Sequence, residues 1–467
     1  MQLDDLSRDL LDATIRRALR HGGEFAEVFV EDRRSLGLSL EERRVERAAG
    51  GREAGFGVRL TSGDRTYYSY SDDLSEDDLE HAADAVAAAL RGETGDGAAV
   101  VDLGAVRAAR ATAPIAVAPE SVATEIKAGL LRAADEAARD ADPAVSQVMA
   151  GYLESRQRVL VANSLGAYVT DDRTRLRFTV QVVARRDDVI QTGYESLGKS
   201  LGFEIVDEQI ARGIAAAAAG KAVTMLDSRP APTGPMAVVM GNGFGGTLFH
   251  EACGHGLEAD GIAKGSSIYE GKIGAVVAAP IVSAYDDGTI AGEWGSAGVD
   301  DEGAPTQKTV VIDEGRLRGF LYDGLRARGE GVAQTGNGRR QSFRHVPIPR
   351  MTTTCIAPGQ ASADEIIAAT ERGFYAKTLA GGQVEPASGN FVFGVAEGYL
   401  IEHGRVTTPL RGATLVGNGI DILKSIDMIG SDFEVKSGIC GKDGQSVPVG
   451  TGQATLRIAA MTVGGTG

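Results

Sequence analysis

The densest chemistry in the chain lies in Thr247-Leu248-Phe249-His250-Glu251-Ala252-Cys253-Gly254-His255-Gly256-Leu257-Glu258. Two of the chain's six histidines fall in this run and flank an acid, so rare ligand types are concentrated where they could act together. Imidazoles can hold a metal ion while a neighbouring carboxylate moves protons. A metallopeptidase helix normally carries H-E-x-x-H, with both rings on one face. Here one residue more separates them, giving H-E-x-x-x-H. On an ideal helix that spacing sets the rings about 140° apart around the axis, too far to share one ion. The helix must therefore deform, as a π-bulge, or end near Gly254, where a glycine makes distortion cheap. The bland alternative is a pair of ordinary surface or core histidines. Glu251 between them and the glycine-rich turn before them weigh against it.

A hydrolytic zinc site needs three protein ligands and one open position. Spacing alone leaves the third ligand open among Cys253, Glu258, Asp260, the Asp300-Asp301-Glu302 group and Cys440. Cys253 points to another part of the helix surface than His250, and packing is its default role. Asp300-Asp301-Glu302-Gly303 reads first as a polar turn. Cys440 sits in Ser437-Gly438-Ile439-Cys440-Gly441-Lys442-Asp443-Gly444, which reads as a glycine-rich loop suited to close approach.

Several elements must position these residues. Met236–Met240 reads as a buried strand, followed by Gly241-Asn242-Gly243-Phe244-Gly245-Gly246. That run fits G-x-G-x-x-G, but no apolar strand follows the helix, so the dinucleotide reading lacks its context. The glycines are better explained by a sharp turn and close packing. Upstream, Leu11, Ile15 and Ala18 mark an amphipathic helix. A second begins at Ser75 with the stripe Leu79, Ala83, Val86 and Leu90. Between them, Ala26/Val28/Val30, Leu36/Leu38/Leu40 and Ala54/Phe56/Val58/Leu60 alternate as half-buried antiparallel strands. The order helix, strands, helix recurs from about Pro119 to Met225, as a diverged repeat would give. Pro230, Pro232 and Pro235 mark the clearest boundary, beyond which glycine-rich hairpins dominate. The expected division is 1–110, 111–229 and 230–467, with the last part β-rich and carrying the histidine helix. The fold class is α+β.

At 467 residues with a net charge of −16, the chain is large enough for several cores and too acidic to favour a phosphate backbone. No apolar run approaches the roughly 20 residues a membrane span needs, and Met1–Arg20 lacks the features of a secretory signal. A cytoplasmic protein is expected, with no membrane and no nucleic-acid partner. Three widely spaced cysteines make no disulfide framework. Among the other histidines, His345 in Arg344-His345-Val346-Pro347 is a candidate substrate contact, while His21, His81 and His403 read as solvated.

The chain resembles the TldD/PmbA family, in the TldD branch that keeps its metal motif. The resemblance rests on His250-Glu251-Ala252-Cys253-Gly254-His255-Gly256-Leu257-Glu258, Asp300-Asp301-Glu302-Gly303, Thr335-Gly336-Asn337-Gly338-Arg339-Arg340 and Pro347-Ile348-Pro349-Arg350-Met351. Cys440-Gly441-Lys442-Asp443-Gly444-Gln445-Ser446 and Val463-Gly464-Gly465-Thr466 complete it. It implies a zinc peptidase with one ion held by His250, His255 and Cys440, and with Glu251 as the catalytic carboxylate. It further implies extended peptides as substrates and a heterodimer with a PmbA/TldE-like subunit, a homodimer being the alternative. Peptide binding as an added strand would accept many sequences. Two other readings remain: a non-catalytic scaffold or regulatory subunit, and a cysteine peptidase pairing Cys253 with His255.

Overall fold

The computed structural model describes residues 3–90, 99–110 and 112–465. Its first half is built on one long sheet. The strands Arg65–Ser71, Arg44–Ser62, Phe25–Glu41, Val145–Asn163 and Tyr168–Arg186 lie side by side in that order, with Val189–Lys199 paired to the last. All these neighbours are antiparallel. The alternating segments expected as separate short strands are thus continuous. Ala26/Val28/Val30 and Leu36/Leu38/Leu40 share one strand, and the segments before and after Leu153 share another. Both halves of the suspected repeat contribute strands to the same sheet.

Period-two alternation divides this sheet into two faces. Ala26, Val28, Val30, Phe56, Val58 and Leu60 pack under the helices Arg8–Ala18 and Glu76–Ala89, whose stripes are the ones the sequence displays. Ser75 caps the second helix, its side chain accepting from the Asp78 amide. Further along, Leu176, Phe178, Val180 and Val182 pack under Thr124–Ala141 and the alanine-rich Glu208–Leu226.

The opposite face was expected to meet water, and it does not. Phe29, Val159, Val161 and Val169 pack against Val299 and Phe343 of the C-terminal half. Between them lies a buried ionic layer: Arg59 pairs with Glu27 at 2.9 Å, Arg173 with Asp301 at 2.6 Å, and Arg340 with Glu27. Asp301 and Glu302, read from sequence as a polar turn, are therefore interior groups whose charges are compensated by arginines far away in the chain.

The described residues of the C-terminal half form two large β-structures and a two-stranded ribbon of Gly338–Arg339 with Ile348–Pro349. Gly234–Met240, Leu456–Gly464, Thr414–Asn418, Asn390–Glu402 and Arg372–Glu385 pair in sequence around a ring that closes on itself, so the ring has no continuous open edge. A six-stranded sheet runs Arg316–Leu317, Lys308–Asp313, Ala284–Asp287, Thr353–Ile356, Gln445–Gln453, Glu434–Lys442. One apolar core spans both, from Val238 and Phe374 to Ile312 and Ile356. Among the described residues no helix is long and apolar enough to cross a membrane.

Candidate metal centre

The strand Gly234–Met240 delivers the chain to a single 3-10 turn, Gly243–Gly245, and then to the helix Gly246–Ala252. The glycines serve close packing. A Cβ on Gly241 would run into the Lys377 carbonyl, and one on Gly246 would press on the backbone of Gly452. His250 and Glu251 lie in the last turn of this helix. Cys253 then leaves helical geometry, at φ −127° and ψ −46°, and a 3-10 segment runs from Gly254 to Leu257. The extra residue of H-E-x-x-x-H is thus absorbed by ending the helix, not by a π-bulge. Gly254 itself has no positive φ. Its requirement is steric, because a Cβ there would collide with Met351 Sδ.

The break brings the two imidazoles together, with ring centroids 5.2 Å apart and ring planes at 82°. Cys440 completes the group. It lies on the strand Glu434–Lys442, and the glycine-rich loop expected there shrinks to the hairpin turn at Asp443 and Gly444, both with positive φ. Donor atoms of His250, His255 and Cys440 all fall within 4.8 Å of one another, and Cys440 Sγ is 3.4 Å from His255 Nε2. Among the described residues this is the one group of three or more potential donors so placed.

The rings are oriented from behind. Thr354 Oγ1 lies 3.1 Å from His250 Nδ1, on a strand of the same sheet as Cys440. Thr354 in turn faces Asp286, which accepts from Thr352 Oγ1 at 2.7 Å and from Asn337 Nδ2 at 2.7 Å. Glu258 Oε2 lies 2.9 Å from His255 Nδ1 and 3.0 Å from Lys442 Nζ, and Lys442 also pairs with Asp260 at 2.7 Å. With Nδ1 of each ring committed, Nε2 is the nitrogen left for a ligand. His250 Nε2 is buried and has no protein partner.

These contacts set the electrostatics. Burial opposes charge on Glu258, but Lys442 and then His255 hold its carboxyl down at about 2. Burial likewise opposes the His255 cation, yet Glu258 and then Cys440 push it up to about 11. Burial would raise the Cys440 thiol, but the neighbouring imidazoles of His250 and then His255 outweigh this and bring it to about 5. The protein alone thus favours a thiolate beside an imidazolium, the protonation pattern that releases a proton when a metal binds.

Of the residues singled out by sequence, His250, Glu251, His255 and Cys440 converge. Glu258 and Asp260, candidate ligands by spacing, instead stand behind His255 and on Lys442. Cys253 is buried in the core, where burial pushes its thiol up to about 12; this removes it as a nucleophile. His345 hydrogen-bonds with Ser342 at 2.9 Å and lines neither cavity beside the cluster. Thr354 and Asp286 carried no sequence signal, since neither belongs to a recognisable motif.

Glu251 sits where two cavities meet. One, of about 440 Å³, is walled by Thr378–Ala380 and Ser437–Ile439; the other, of about 600 Å³, by Gln383–Glu385 and Gly441–Asp443. Both walls are strand edges. Arg372–Glu385 pairs with Gly234–Met240 only through residues 373–376, and Glu434–Lys442 is the terminal strand of its sheet.

This fold and cluster define a class: an α+β protein whose β-rich half assembles two imidazoles, a thiolate and a carboxylate from a broken helix and an edge hairpin. The chain belongs to the PmbA/TldD metallopeptidase family. Residues 26–90, 118–226 and 233–465 match, in turn, domain 1, the central domain and the C-terminal domain of the PmbA/TldA metallopeptidases. It is 38% identical over 452 residues to a Haemophilus influenzae protein named metalloprotease TldD homolog, covering 95% of this chain and 93% of that one. It is 30% identical to a Saccharolobus solfataricus protein named zinc metalloprotease TldD homolog, over 67% of this chain and 68% of the other. The fold is shared with TldE from Thermococcus kodakarensis, at a TM-score of 0.77, 20% identity and coverage of 97% and 99%. A Thermotoga maritima structure matches at a TM-score of 0.80 and 22% identity, covering 98% and 99%.

Proposed function

We propose that this protein hydrolyses amide bonds of extended peptides at one zinc ion held by His250, His255 and Cys440, with Glu251 as general base. The observation that carries this reading is the convergence of three donor atoms within 4.8 Å beside a carboxylate that opens on a cleft. The donor set fits the ion. Nitrogen and thiolate donors suit zinc, and three of them leave a fourth position for water. The orphaned Nε2 of His250 is a buried polar atom that a metal would satisfy. The naming of the Saccharolobus relative as a zinc metalloprotease points the same way.

Bound zinc supplies a polarised scissile carbonyl and a water acidified toward pKa about 7. The chain's residues do the rest. Glu251, with 29% of its side chain exposed, takes the proton of the attacking water and returns it to the departing amine. Glu258 and Thr354 hold the imidazoles in the productive tautomer, and Lys442 keeps Glu258 ionised. The two strand edges flanking Glu251 offer backbone hydrogen bonds to an extended peptide. A folded protein cannot present that backbone. Selectivity would thus follow from disorder in the substrate more than from its sequence.

We further propose a cytoplasmic protein that pairs with a TldE-like subunit, consistent with the shared fold. The test is digestion of an unstructured peptide by metal-loaded protein, alone and mixed with such a subunit, beside Glu251→Gln. Cleavage by the native chain and none by the variant at equal metal content is the expected result. Equal, absent cleavage in both, with metal and partner present, would favour the scaffold reading.

A further inference from the structure

A third cavity, of about 410 Å³, lies between the N-terminal sheet and the C-terminal half, beside the hairpin that carries Cys440. Ile439, at the edge of the sheet, borders both this cavity and the 440 Å³ one, whereas its neighbour Cys440 projects toward the two imidazoles. Its walls hold two arginines with an unusual environment. Arg175, on Tyr168–Arg186, is 5% exposed, and Arg339, in the Thr335–Arg340 string, is 7% exposed.

Both guanidinium groups bond only to neutral acceptors. Arg175 donates to the Trp294 carbonyl at 3.2 Å and faces Gln157 Oε1 at 3.5 Å. Arg339 donates to the carbonyls of Met351 and, at 2.7 Å, Pro448. The nearby carboxylates are committed elsewhere. Asp171 and Asp301 pair with Arg173, Asp32 with Arg52, Glu53 with Arg33, and Glu27 with Arg340. Among the described residues no carboxylate forms an ion pair with Arg175 or Arg339. Asp301 and Asp171 attract Arg175 from a distance, and Asp301 and Asp286 attract Arg339, but none pairs with either directly, so the cost of burying the two cations is only partly offset. Burial, then Arg173, draws Arg175 down to about 9, and burial draws Arg339 down to about 10.

An independent observation concerns the other donors. Trp294 Nε1 and Arg340 Nε belong to residues lining the same cavity, are fully buried, and have no acceptor. The lining residues with orphaned buried atoms are thus orphaned as donors, and none as an acceptor. Donors without acceptors and guanidinium groups without a direct ion pair thus gather in the walls of one cavity, where arginines outnumber carboxylates.

We infer that this cavity is a binding site for a small oxyanion, with phosphate or carboxylate groups, gripped between Arg175 and Arg339. Planar guanidinium forks match both groups in bidentate geometry. Such a ligand would tie the N-terminal sheet to the Cys440 hairpin, because Arg339 already holds Pro448, the strand partner of Ile439. The inference does not rest on the peptidase reading, and its test does not read peptide cleavage.

The test titrates the full metal-loaded chain with inorganic phosphate and, separately, succinate, against sodium chloride at equal ionic strength. Metal content is checked before and after. Thermal unfolding is the readout. The expected result is a saturable rise of at least about 2 °C with one or both anions. Arg175→Met and Arg339→Met should each lose that rise, while the exposed Arg405→Gln keeps it. A response to phosphate alone assigns a phosphate ligand, and one to succinate alone a polycarboxylate. A rise no larger than chloride gives, or one retained in both arginine variants, overturns the proposal. Should either variant fail to fold, hydrogen exchange on the native chain decides. Anion-induced protection within 168–186 and 434–453 supports the site, and protection elsewhere or nowhere refutes it.

Discussion

Cys440 Sγ lies 3.4 Å from His255 Nε2 across 185 residues of chain. The histidine stands on a broken helix packed against the closed ring of strands, the cysteine on the edge strand of a neighbouring sheet. Replacing Cys440 by Ser exchanges a soft thiolate for a hydroxyl that stays protonated, so the purified variant should lose most of its metal. Elemental analysis measures this directly, and an unchanged zinc content would remove Cys440 from the ligand set.

The residues behind the ligands should matter nearly as much. Glu258→Gln removes the charge that fixes His255, and Thr354→Val removes the partner of His250 Nδ1. Each should weaken metal affinity by about 10- to 100-fold, read by competition with a chromogenic chelator. Affinity unchanged in both variants would show that packing alone orients the rings.

Gly254 offers a steric test. Its replacement by Ala forces a methyl against Met351 Sδ in a fully buried setting. Overpacking of this kind costs about 1–3 kcal/mol, and here it also displaces His255. Denaturant midpoint and metal affinity should fall together. A variant as stable and as metal-loaded as the native chain would contradict the packing account.

Asp323 should leave a mark on the pH profile of stability. Burial, then the charge of Glu302, pushes its carboxyl up to about 7, although it caps the helix Gly324–Glu330 by accepting from the Arg326 amide. A folded pKa above the unfolded value means the folded state holds more protons between pH about 4 and 7. Stability from this group is therefore present at low pH and lost as pH rises through that window. Asp323→Asn keeps the cap and removes the titration. At pH 8 the variant should gain stability, on the order of 2 kcal/mol, and its profile should be flatter from pH 5 to 8. Denaturant titrations at those two pH values check the sign.

Peptide recognition by strand addition can be probed on the substrate. Methylating backbone nitrogens near the scissile bond deletes hydrogen bonds to a strand edge while sparing side chains. Cleavage should drop at least about tenfold for each amide that pairs. Equal rates for methylated and plain peptides would show that side-chain contacts carry the binding.

Much of this molecule was legible one segment at a time. The helix starting at Ser75 and the stripe of Leu79, Ala83 and Val86 form as their local patterns require, and glycine-rich hairpins do follow Pro235, one of them turning at His403-Gly404. The break beside Gly254 was legible as well, since only a distorted helix lets histidines five apart face one ion. The polar face of the N-terminal sheet was misjudged because alternation looks the same whether charged residues meet water or other charges. Glu27 and Arg59 pair with each other and with Arg340 and Glu302 from the other half of the chain.

The sequence by itself determined the paired histidines, the acid between them, the need for a break and the likeness to a family of known pattern. Spacing left five candidate third ligands open; the family likeness pointed to Cys440, and the tertiary structure brings its sulfur to the imidazoles. It sent Glu258 behind His255, buried Cys253, and left Arg175 and Arg339 without a direct ion pair. The reason is physical. Side-chain type and short spacing fix what a local segment can do. Proximity, burial and charge balance depend on segments a hundred or more residues apart, and only the packed chain brings those into contact.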